Sequence, residues 1–577
     1  MLVNITEHFI ESGREWQVGQ NPDVPREVAA MWIADGKATA DTDGVRNQSP
    51  VSGGIGDLSS LESVQSPIAT DQVLIKRGSV AMLAPSSVMT RPLLRPNMLV
   101  FGDSITQYAS ENIAFSSLTQ SGGVATGVLA SAHGLWPGAV FNISGLSSGT
   151  SAAYCDLFQV ATVPNATTIT FTIDSSAPST AGGTPRLIQP NALNGNNSYW
   201  NWAQAISKHR MNFLGNLGVS GDTTTSLIAR LGAISKAQQY YADSPPSDIF
   251  VLVGVNDINA GATAATVKTN LLQIYTYVLN LGMRLHVATI MGSTIFTSAQ
   301  AAIVCDVNEW IKEFASQNPS AYLYDFYSVT CDNTATTGNP VSASMTGNVH
   351  PAPAYARALG QYISDRWAEI YSPTPGLLPS SYADSVSAGG SSQIVANPTF
   401  IGTAGSTGGA AGTAPTSWTI YNPATNSSLT GSSAVRVAGT DGDAAGYNAV
   451  LVGVTTGFGT TNLYQSGLHT QISAGDELVA MGSVAISGNT NIDGVGIYLT
   501  VTVDGIAYTS LCGLRKVSTS TTNLEDGLNV AGLVFETTPL RVPAGTISAA
   551  AMYAQVTSAA GAGGFTVKWG RCGVRKL

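Results

Sequence analysis

The 577-residue sequence is poor in charged residues and has no long apolar run. Charged residues make up 11% of the chain, the formal net charge is −10, and Lys and Arg nowhere form a run. Because clustered basic side chains are needed to neutralise nucleic-acid phosphates, we expect no nucleic-acid partner. The longest apolar pieces, such as residues 249–255, fall far short of the roughly 18 residues of a membrane span, so we expect no membrane insertion.

Cysteine is also scarce, and this scarcity limits the kinds of site and staple that the chain can form. The cysteines are odd in number and never spaced as CxxC: Cys155, Cys305, Cys331, Cys512 and Cys572. This pattern predicts reduced, structural thiols in a protein made in a cytoplasm. Most histidines lack a second ligand at metal spacing, so neither a metal nor another cofactor is expected. Glu7, His8 and Glu11 interrupt the N-terminal segment, where a secretory signal needs an apolar core.

Glycine is abundant instead, with 61 residues, and changes in composition divide the chain into parts. Strand-like runs that alternate with helical ones predict a parallel sheet covered on both faces, interrupted by a segment of short strands. A stretch rich in Pro, Gly and Ser predicts a linker before a unit that contains only strand-like runs. The predicted parts are a small N-terminal module (1–40), a linker or arm (41–94), an α/β domain (95–119 and 188–371), an inserted β-domain (120–187), a linker (372–391) and a β-sandwich or jelly roll (392–577).

Four short motifs follow successive strands of the α/β pattern. Gly102-Asp103-Ser104 stands between a strand and a helix, where a serine hydroxyl would be exposed and a helix N-terminus could stabilise negative charge. The others are the segments 216–224 (NLGVSGDTT) and 254–257 (GVND), and His350-Pro351. Each alone is compatible with an ordinary turn or helix cap. Because parallel sheets place their sites at the carboxyl ends of strands, four motifs in such positions indicate one active site.

This set of motifs resembles the SGNH, or GDSL-like lipase/acylhydrolase, family over about residues 95–119 and 190–371. The resemblance implies a flavodoxin-like three-layer α/β/α fold and a serine esterase. It implies that Ser104 is the nucleophile and that His350 is the general base. It further implies that the backbone N–H groups of Ser104 and Gly221 and the side-chain amide of Asn256 form the oxyanion hole, where neutral donors stabilise the developing charge.

The sequence departs from the family at the third member of the triad. The family has an aspartate three residues before the histidine, whereas Gly347 occupies that position here. That acid normally fixes the tautomer of the imidazole and stabilises the imidazolium, so another group has to replace it or the site works without one. Asp332, in the loop before His350, is one candidate. A backbone carbonyl and a plain Ser-His dyad are the alternatives.

The flanking segments are similar to parts of bacteriophage tail proteins, and they suggest the setting. Residues 1–40 look like a virion attachment module, the insert resembles a β-domain of tail proteins, and the C-terminal unit looks like carbohydrate-binding jelly rolls. Four aromatic residues of that unit could stack on sugar rings or belong to its core: Trp418, Tyr421, Tyr447 and Trp569.

We therefore expect an esterase that removes acyl groups, most simply O-acetyl, from a bacterial surface polysaccharide. The expected location is a phage tailspike or tail fibre made in the host cytoplasm, as a homo-oligomer, most simply a trimer, together with other tail proteins. Two alternatives remain, a bacterial carbohydrate esterase with a binding module and a glycan-binding receptor whose esterase site has decayed. We also expect a chain that ends near Tyr371 to keep activity on small esters, because the linker predicts a separable C-terminal unit.

Overall fold

The computed structural model of the protein divides into two units, Met1–Ser87 and Val88–Leu577. Six strands are described in the first unit, and residues 95–146, 151–334, 337–371, 377–384, 392–422, 426–435, 447–516 and 523–577 in the second. The first-unit strands form three antiparallel pairs. They are β1 (Val3–Ile5), β2 (Phe9–Glu11), β3 (Arg14–Trp16), β4 (Ala38–Ala40), β5 (Gln72–Arg77) and β6 (Val80–Pro85). The rest of the predicted module and arm lies outside the described residues.

The α/β part of the second unit alternates strands with helices, and short strands interrupt it after its first helix. The elements before and within the interruption are β7 (Asn97–Gly102), α1 (Ser104–Gln107), β8 (Ser110–Ser121), β9 (Val124–Leu129), β10 (Val140–Leu146), α2 (Ser151–Tyr154), β11 (Leu157–Asn165), β12 (Thr168–Thr172) and β13 (Gly183–Gly195). Those that follow are α3 (Tyr199–Ile206), β14 (Asn212–Gly218), α4 (Thr224–Ala229), α5 (Gly232–Tyr240), β15 (Asp248–Leu252), α6 (Val255–Asn259), α7 (Ala264–Asn280), β16 (Arg284–Ala288), α8 (Ser298–Gln317), β17 (Ala321–Tyr324), α9 (Phe326–Thr330), β18 (Met345–Thr346), β19 (His350–Pro351) and α10 (Pro353–Ile370).

The central sheet is parallel and has the order β14-β7-β15-β16-β17, which is the strand order of flavodoxin-like folds. Strand β15 is buried along its whole length, as expected for a parallel strand covered on both faces. Most of these helices form two groups, and each helix contacts at least one other member of its own group. The first group contains α3, α9 and α10, and the second contains α4, α6, α7 and α8. The predicted parallel sheet with alternating helices is the one observed, and the finer three-layer description stays a prediction. Because β7 and β15 are neighbours, the loops that follow them meet at one edge of the sheet.

The strands of the insert reach beyond the range predicted for it. They begin at Ser110 and end at Gly195, whereas the sequence pattern predicted residues 120–187. The difference arises at the two long strands β8 and β13, which pair with each other and extend toward the α/β part. Their alternating polar residues carry no signal that marks where one domain ends, so the sequence pattern could not show how far these strands extend.

The C-terminal part is built from strands apart from one short 3-10 helix, Leu468–Gln471, in its described residues. Its strands lie in two sheets whose facing sides share one apolar core. The jelly-roll connectivity suggested by the sequence stays a prediction. The strands are β20 (Ala404–Ser406), β21 (Ala411–Gly412), β22 (Ala414–Tyr421), β23 (Asn426–Val435), β24 (Tyr447–Thr455), β25 (Gly459–Ser466), β26 (Glu477–Thr490), β27 (Ile492–Val503), β28 (Ile506–Arg515), β29 (Val530–Glu536), β30 (Leu540–Arg541), β31 (Ile547–Ser558) and β32 (Gly563–Lys576).

The insert and the C-terminal part are joined through one continuous sheet. Its order is β10-β11-β12-β9-β8-β13-β28-β27-β31-β25-β22-β20, and the joint is the parallel pair β13 and β28. Helix α3 adds Trp202, which is fully buried in the same apolar cluster as the sandwich core. The C-terminal part therefore packs directly on the α/β part. Of the predicted linker 372–391, the structure describes residues 377–384, and the remainder lies outside the described residues.

Candidate active site

Ser104 and His350 meet at the carboxyl edge of the parallel sheet. Ser104 is the first residue of α1, directly after β7, and the side chain of Asp103 caps this helix by accepting a hydrogen bond from Ile105 N. His350 begins β19, just before α10. Nε2 of His350 lies 2.8 Å from Oγ of Ser104, although the two residues are 246 positions apart in sequence. This is the distance at which an imidazole can take the proton of an attacking hydroxyl.

The backbone of His350 is fixed by a short hairpin. Strands β18 and β19 pair antiparallel, with Thr346 opposite His350, and Ala352 N donates to Ser344 O at 2.8 Å. Burial lowers the pKa of His350 to about 4. At neutral pH the imidazole is therefore uncharged, which is the form that accepts a proton. No carboxylate contributes to that pKa, in contrast to a site with a triad acid.

Gly347 lies in the turn of this hairpin, at the position of the family's aspartate. Its φ is +64°, in the left-handed region, and a Cβ built on it would meet no atom within 4 Å. Asn348, the next residue, anchors the turn, because its backbone O accepts from Thr294 N at 3.0 Å. A side chain at position 347 would therefore project into open space at the tip of the hairpin. The glycine is explained by the turn itself.

Asp332 is not brought to the imidazole. Its Oδ1 accepts hydrogen bonds from the backbone N of Thr334 at 2.9 Å and from its hydroxyl at 2.6 Å, in a local turn after α9. Within the described part of the chain, Ser104 is the one hydrogen-bond partner of the His350 ring, and Nδ1 has none. The sequence suggested Asp332 because it precedes His350 in the same loop region, but the carboxylate is held by its own turn. The geometry supports a Ser-His dyad.

The predicted oxyanion donors come from loops that hydrogen bonds hold together. Ser220 N donates to Gln107 Oε1 at 2.7 Å, which ties the Gly221 turn to α1. On the other side of that turn, Nδ2 of Asn256 donates to Asp222 O at 2.8 Å. Gly221 N forms no hydrogen bond among the described residues. Ser104 N, in the first turn of α1, has no acceptor within its helix. The N–H groups of Gly221 and Ser104 are therefore unoccupied donors of the kind that stabilise a developing oxyanion, whereas the Asn256 amide has two N–H donors and gives one of them to Asp222 O.

Three buried carboxylates behind the nucleophile were not singled out from the sequence. Asp257 accepts from Thr224 N at 2.9 Å and so fixes α6 to the start of α4, while Asp222 accepts from Arg230 Nε at 2.9 Å. The third, Asp103, is fully buried. Desolvation, with a smaller contribution from the charges of Asp222 and Asp257, raises its pKa to about 7 against the hydrogen bond from Ile105 N. Asp103 sits inside the GDS motif, so its position was visible, but its burial was not.

The cysteines and the other side chains that can bind metal ions form no further site in the described residues. Among them, no three His, Cys, Asp or Glu side chains form a group that could hold a metal ion. All five cysteines are described, and each is a free thiol. In the part of the chain that the structure describes, no helix is long and apolar enough to cross a membrane.

Residues 179–358 match the family model of the GDSL-like lipase/acylhydrolase family. This range holds Gly221, Asn256 and His350. Ser104 lies outside it, on the far side of the insert. No curated protein sequence matches the chain.

Solved structures of the same kind resemble part of the chain at low identity. A lipolytic protein of the G-D-S-L family from Desulfitobacterium hafniense is 16% identical and covers 31% of this chain and 91% of its own, with a TM-score of 0.24. A GDSL-like lipase from Bacteroides thetaiotaomicron is 12% identical, with 29% and 82% covered and a TM-score of 0.23. The psychrotrophic esterase EstA from a Pseudoalteromonas species is 14% identical, with 29% and 82% covered and a TM-score of 0.21.

Proposed function

We propose that this carboxylic-ester hydrolase, which carries a GDSL-like lipase/acylhydrolase domain, removes acyl groups from a bacterial surface polysaccharide. O-acetyl is the simplest such group. The observation that carries the hydrolytic part is the 2.8 Å contact between Ser104 and His350. The polysaccharide part is supported by a face of the C-terminal sheet that is lined with tyrosines.

The reaction follows from the positions of these groups. Oγ of Ser104 attacks the ester carbonyl carbon while Nε2 of His350 takes the hydroxyl proton. The N–H groups of Ser104 and Gly221 and the amide of Asn256 are the donors for the oxyanion. Collapse of this intermediate breaks the ester C–O bond, and the imidazolium gives its proton to the sugar alcohol. Water then attacks the acyl-serine, with His350 again as base, and releases the carboxylic acid and free Ser104.

A row of three tyrosines crosses adjacent strands of the large sheet. Tyr464 on β25 and Tyr498 on β27 both stand opposite Tyr553 on β31, with ring centroids 5.5 Å and 5.7 Å from the Tyr553 ring. All three are half-buried, and the alternate residues of these strands belong to the sandwich core. The rings therefore lie on the outer face of the sheet. We call this row and its flanking side chains the tyrosine face.

The chemistry of the tyrosine face fits an uncharged polyhydroxylated ligand. Phenol rings offer an apolar surface with a polar edge, and the flanking side chains on the same face supply hydroxyl and amide groups without a charge. These flanking residues are Thr419, Tyr421, Asn462, Thr500 and Gln555. Of the four aromatic residues considered from sequence, only Tyr421 joins this face, with 52% exposure. Trp418 and Trp569 are buried in the core, and the side chain of Tyr447 is outside the described residues.

Hydrolysis of p-nitrophenyl acetate and acetate release from an O-acetylated capsular polysaccharide preparation test the two parts separately. Ser104→Ala should lower the rates of both reactions by several orders of magnitude while the chain stays folded. Tyr553→Ala should leave the small ester unaffected and raise KM on the polymer. Val452→Ala, an exposed apolar side chain on the other sheet, is the control. Full activity of Ser104→Ala would refute the nucleophile, and an unchanged polymer KM in Tyr553→Ala would refute the tyrosine face.

We further propose that the chain acts in a phage tailspike or tail fibre, as a homo-oligomer, most simply a trimer, alongside other tail proteins. The support is the resemblance of its flanking segments to tail-protein modules. Mass spectrometry of purified virions should detect the chain. Light scattering of the purified protein should give the mass of three copies of the chain. Absence from virions would favour the bacterial esterase. The decayed receptor is disfavoured by the intact Ser104–His350 contact, and hydrolysis of any acetate ester would dismiss it.

A further inference from the structure

The imidazole of His350 needs an orienting group that the hairpin does not supply. The pairing of β18 with β19 fixes the backbone, but the ring can still turn about its side-chain bonds. In a serine triad the acid removes this freedom by accepting a hydrogen bond from Nδ1. Here position 347 is a glycine at the hairpin tip, Asp332 is held in its own turn, and among the described residues nothing hydrogen-bonds to Nδ1.

We infer that Tyr108 is the positioning residue for His350, and that it holds the ring by packing. The centroids of the two rings are 4.5 Å apart and their planes are inclined by 48°. At this distance the phenol covers one side of the imidazole, and its bulk opposes rotation of the base away from Ser104. Tyr108 also caps the nucleophile's helix, because its N–H donates to Ser104 O at 3.2 Å. One residue thus contacts both members of the dyad.

Tyr108 is itself held by the end of β13. A Cβ on Gly195 would lie 1.9 Å from the carbonyl oxygen of Tyr108, so only glycine allows the two backbones to come this close. The next carbonyl, Ala109 O, accepts from Asn194 N at 3.2 Å and from Asn201 Nδ2 at 2.9 Å. The backbone of Tyr108 therefore cannot shift without breaking these contacts, which fixes the point from which its ring extends to His350.

This support continues into the C-terminal sheet. Gly195 stands opposite Arg515 in the parallel pair of β13 with β28, and Asn196 N donates to Arg515 O at 2.8 Å. The series of contacts from β28 through β13 to Tyr108 ends at His350. Strand β28, which is distant in sequence, thus supports the backbone that holds Tyr108 beside the active site.

The inference rests on the Ser104–His350 assignment and is tested by the pH dependence of kcat/KM for p-nitrophenyl acetate in the full chain. Tyr108→Ala opens the imidazole to water, which raises the pKa of His350 from about 4 toward its ordinary value. The acid limb should move to higher pH, and kcat should fall by about ten- to a hundredfold as the ring loses its orientation. Tyr108→Phe keeps the ring and should keep both the limb and the rate.

Two outcomes would overturn the inference. One is a Tyr108→Ala enzyme with the parent acid limb and rate. The other is a Tyr108→Phe enzyme as impaired as Tyr108→Ala, which would assign the effect to the hydroxyl. An NMR titration of the His350 ring in Ser104→Ala chains, with and without Tyr108→Ala, reads the same pKa without catalysis. Activity in Ser104→Ala would instead show that the dyad itself is misassigned.

Discussion

Arg95 and Glu536 form an ion pair of 2.5 Å that joins the start of the α/β part to β29 of the C-terminal part. Their side chains are only 1% and 12% exposed, so the pair is buried between the two. Burial raises the pKa of Glu536, and Arg95 opposes this effect. Replacing one partner of such a buried ion pair strongly destabilises the fold, because the other charge is left buried without compensation. The two parts therefore share a buried interface on which the fold depends, rather than being loosely attached to each other.

The first prediction concerns a chain shortened to end near Tyr371. The shared interior reverses the expectation of a separable esterase, because the fragment loses β28, Glu536 and the core around Trp202. Without the C-terminal part, Trp202 and the apolar surface around it are exposed to water. We expect the fragment to aggregate and to lack activity on p-nitrophenyl acetate. A fragment of residues 88–577, which is the whole second unit, should stay monodisperse in gel filtration and active. A soluble, active 1–371 fragment would contradict this view.

The second prediction concerns the missing acid. Asp332→Ala should leave kcat near normal, because the carboxylate serves a local turn. Gly347→Asp should not increase kcat, since a side chain at the hairpin tip points into open space. Gly347→Asn is the matched control, as Asn and Asp both tolerate a left-handed conformation and differ in charge. If Gly347→Asp surpasses Gly347→Asn, or moves the acid limb, a carboxylate there does reach the imidazole.

The third prediction concerns Asp103. Its pKa is about 7 in the folded protein and about 3.9 in an unfolded chain. The folded state therefore keeps a proton that the unfolded state loses, and stability falls as pH rises from about 4 to about 7. Asp103→Asn cannot titrate and keeps the Oδ1 acceptor for Ile105 N. Urea denaturation should show equal stabilities at pH 4 and a more stable variant above pH 7, by at most roughly 4 kcal/mol. If the stabilities of the parent and the variant changed with pH in the same way, Asp103 would be ionised in the folded protein.

The fourth prediction concerns a buried cluster at the opposite edge of the sheet. The hydroxyl of Tyr371 donates to Asp248 Oδ1 at 2.5 Å, and Arg284 Nη2 contacts Oδ2 at 2.7 Å. Burial raises the pKa of Asp248, but the hydrogen bonds and charges of His286 and Arg284 outweigh this effect and hold the pKa below its usual range. Tyr371→Phe should lower the free energy of unfolding by about 1.5–3 kcal/mol, the value of a hydrogen bond to a charged group.

Tyr277→Phe provides the control for that measurement. Its hydroxyl bonds to Ser235 Oγ at 2.7 Å, a neutral and partly exposed pair. The loss should be about 1 kcal/mol or less. Equal losses in the two variants would show that the charge of Asp248 adds nothing. Turnover of small esters should be unchanged in both, because Asp248 begins β15 whereas the active site lies beyond the carboxyl ends of the strands.

The sequence predicted the parallel sheet because its strands and helices alternate with periods that differ clearly, and it placed Ser104 and His350 at the correct edge through their positions after β7 and before α10. It could not show that β13 pairs with β28, since nothing in either strand's pattern names its partner. Nor could it show the contact of Tyr108 with His350. Residue 108 follows the GDS motif by four positions, and the meaning of an aromatic residue there depends on a distant hairpin.

The pairing of β13 with β28 also constrains the order in which the chain can fold. Asn191 and Thr509 hydrogen-bond across that joint although 318 residues separate them. Contacts so remote in sequence form late, because the entropy of closing the loop has to be overcome before they add stability. On the ribosome, β13 waits with an unpaired edge until β28 emerges, and such edges promote association with other chains. The esterase site would thus be completed only after nearly all of the polypeptide has been synthesised, which links its activity to full-length translation.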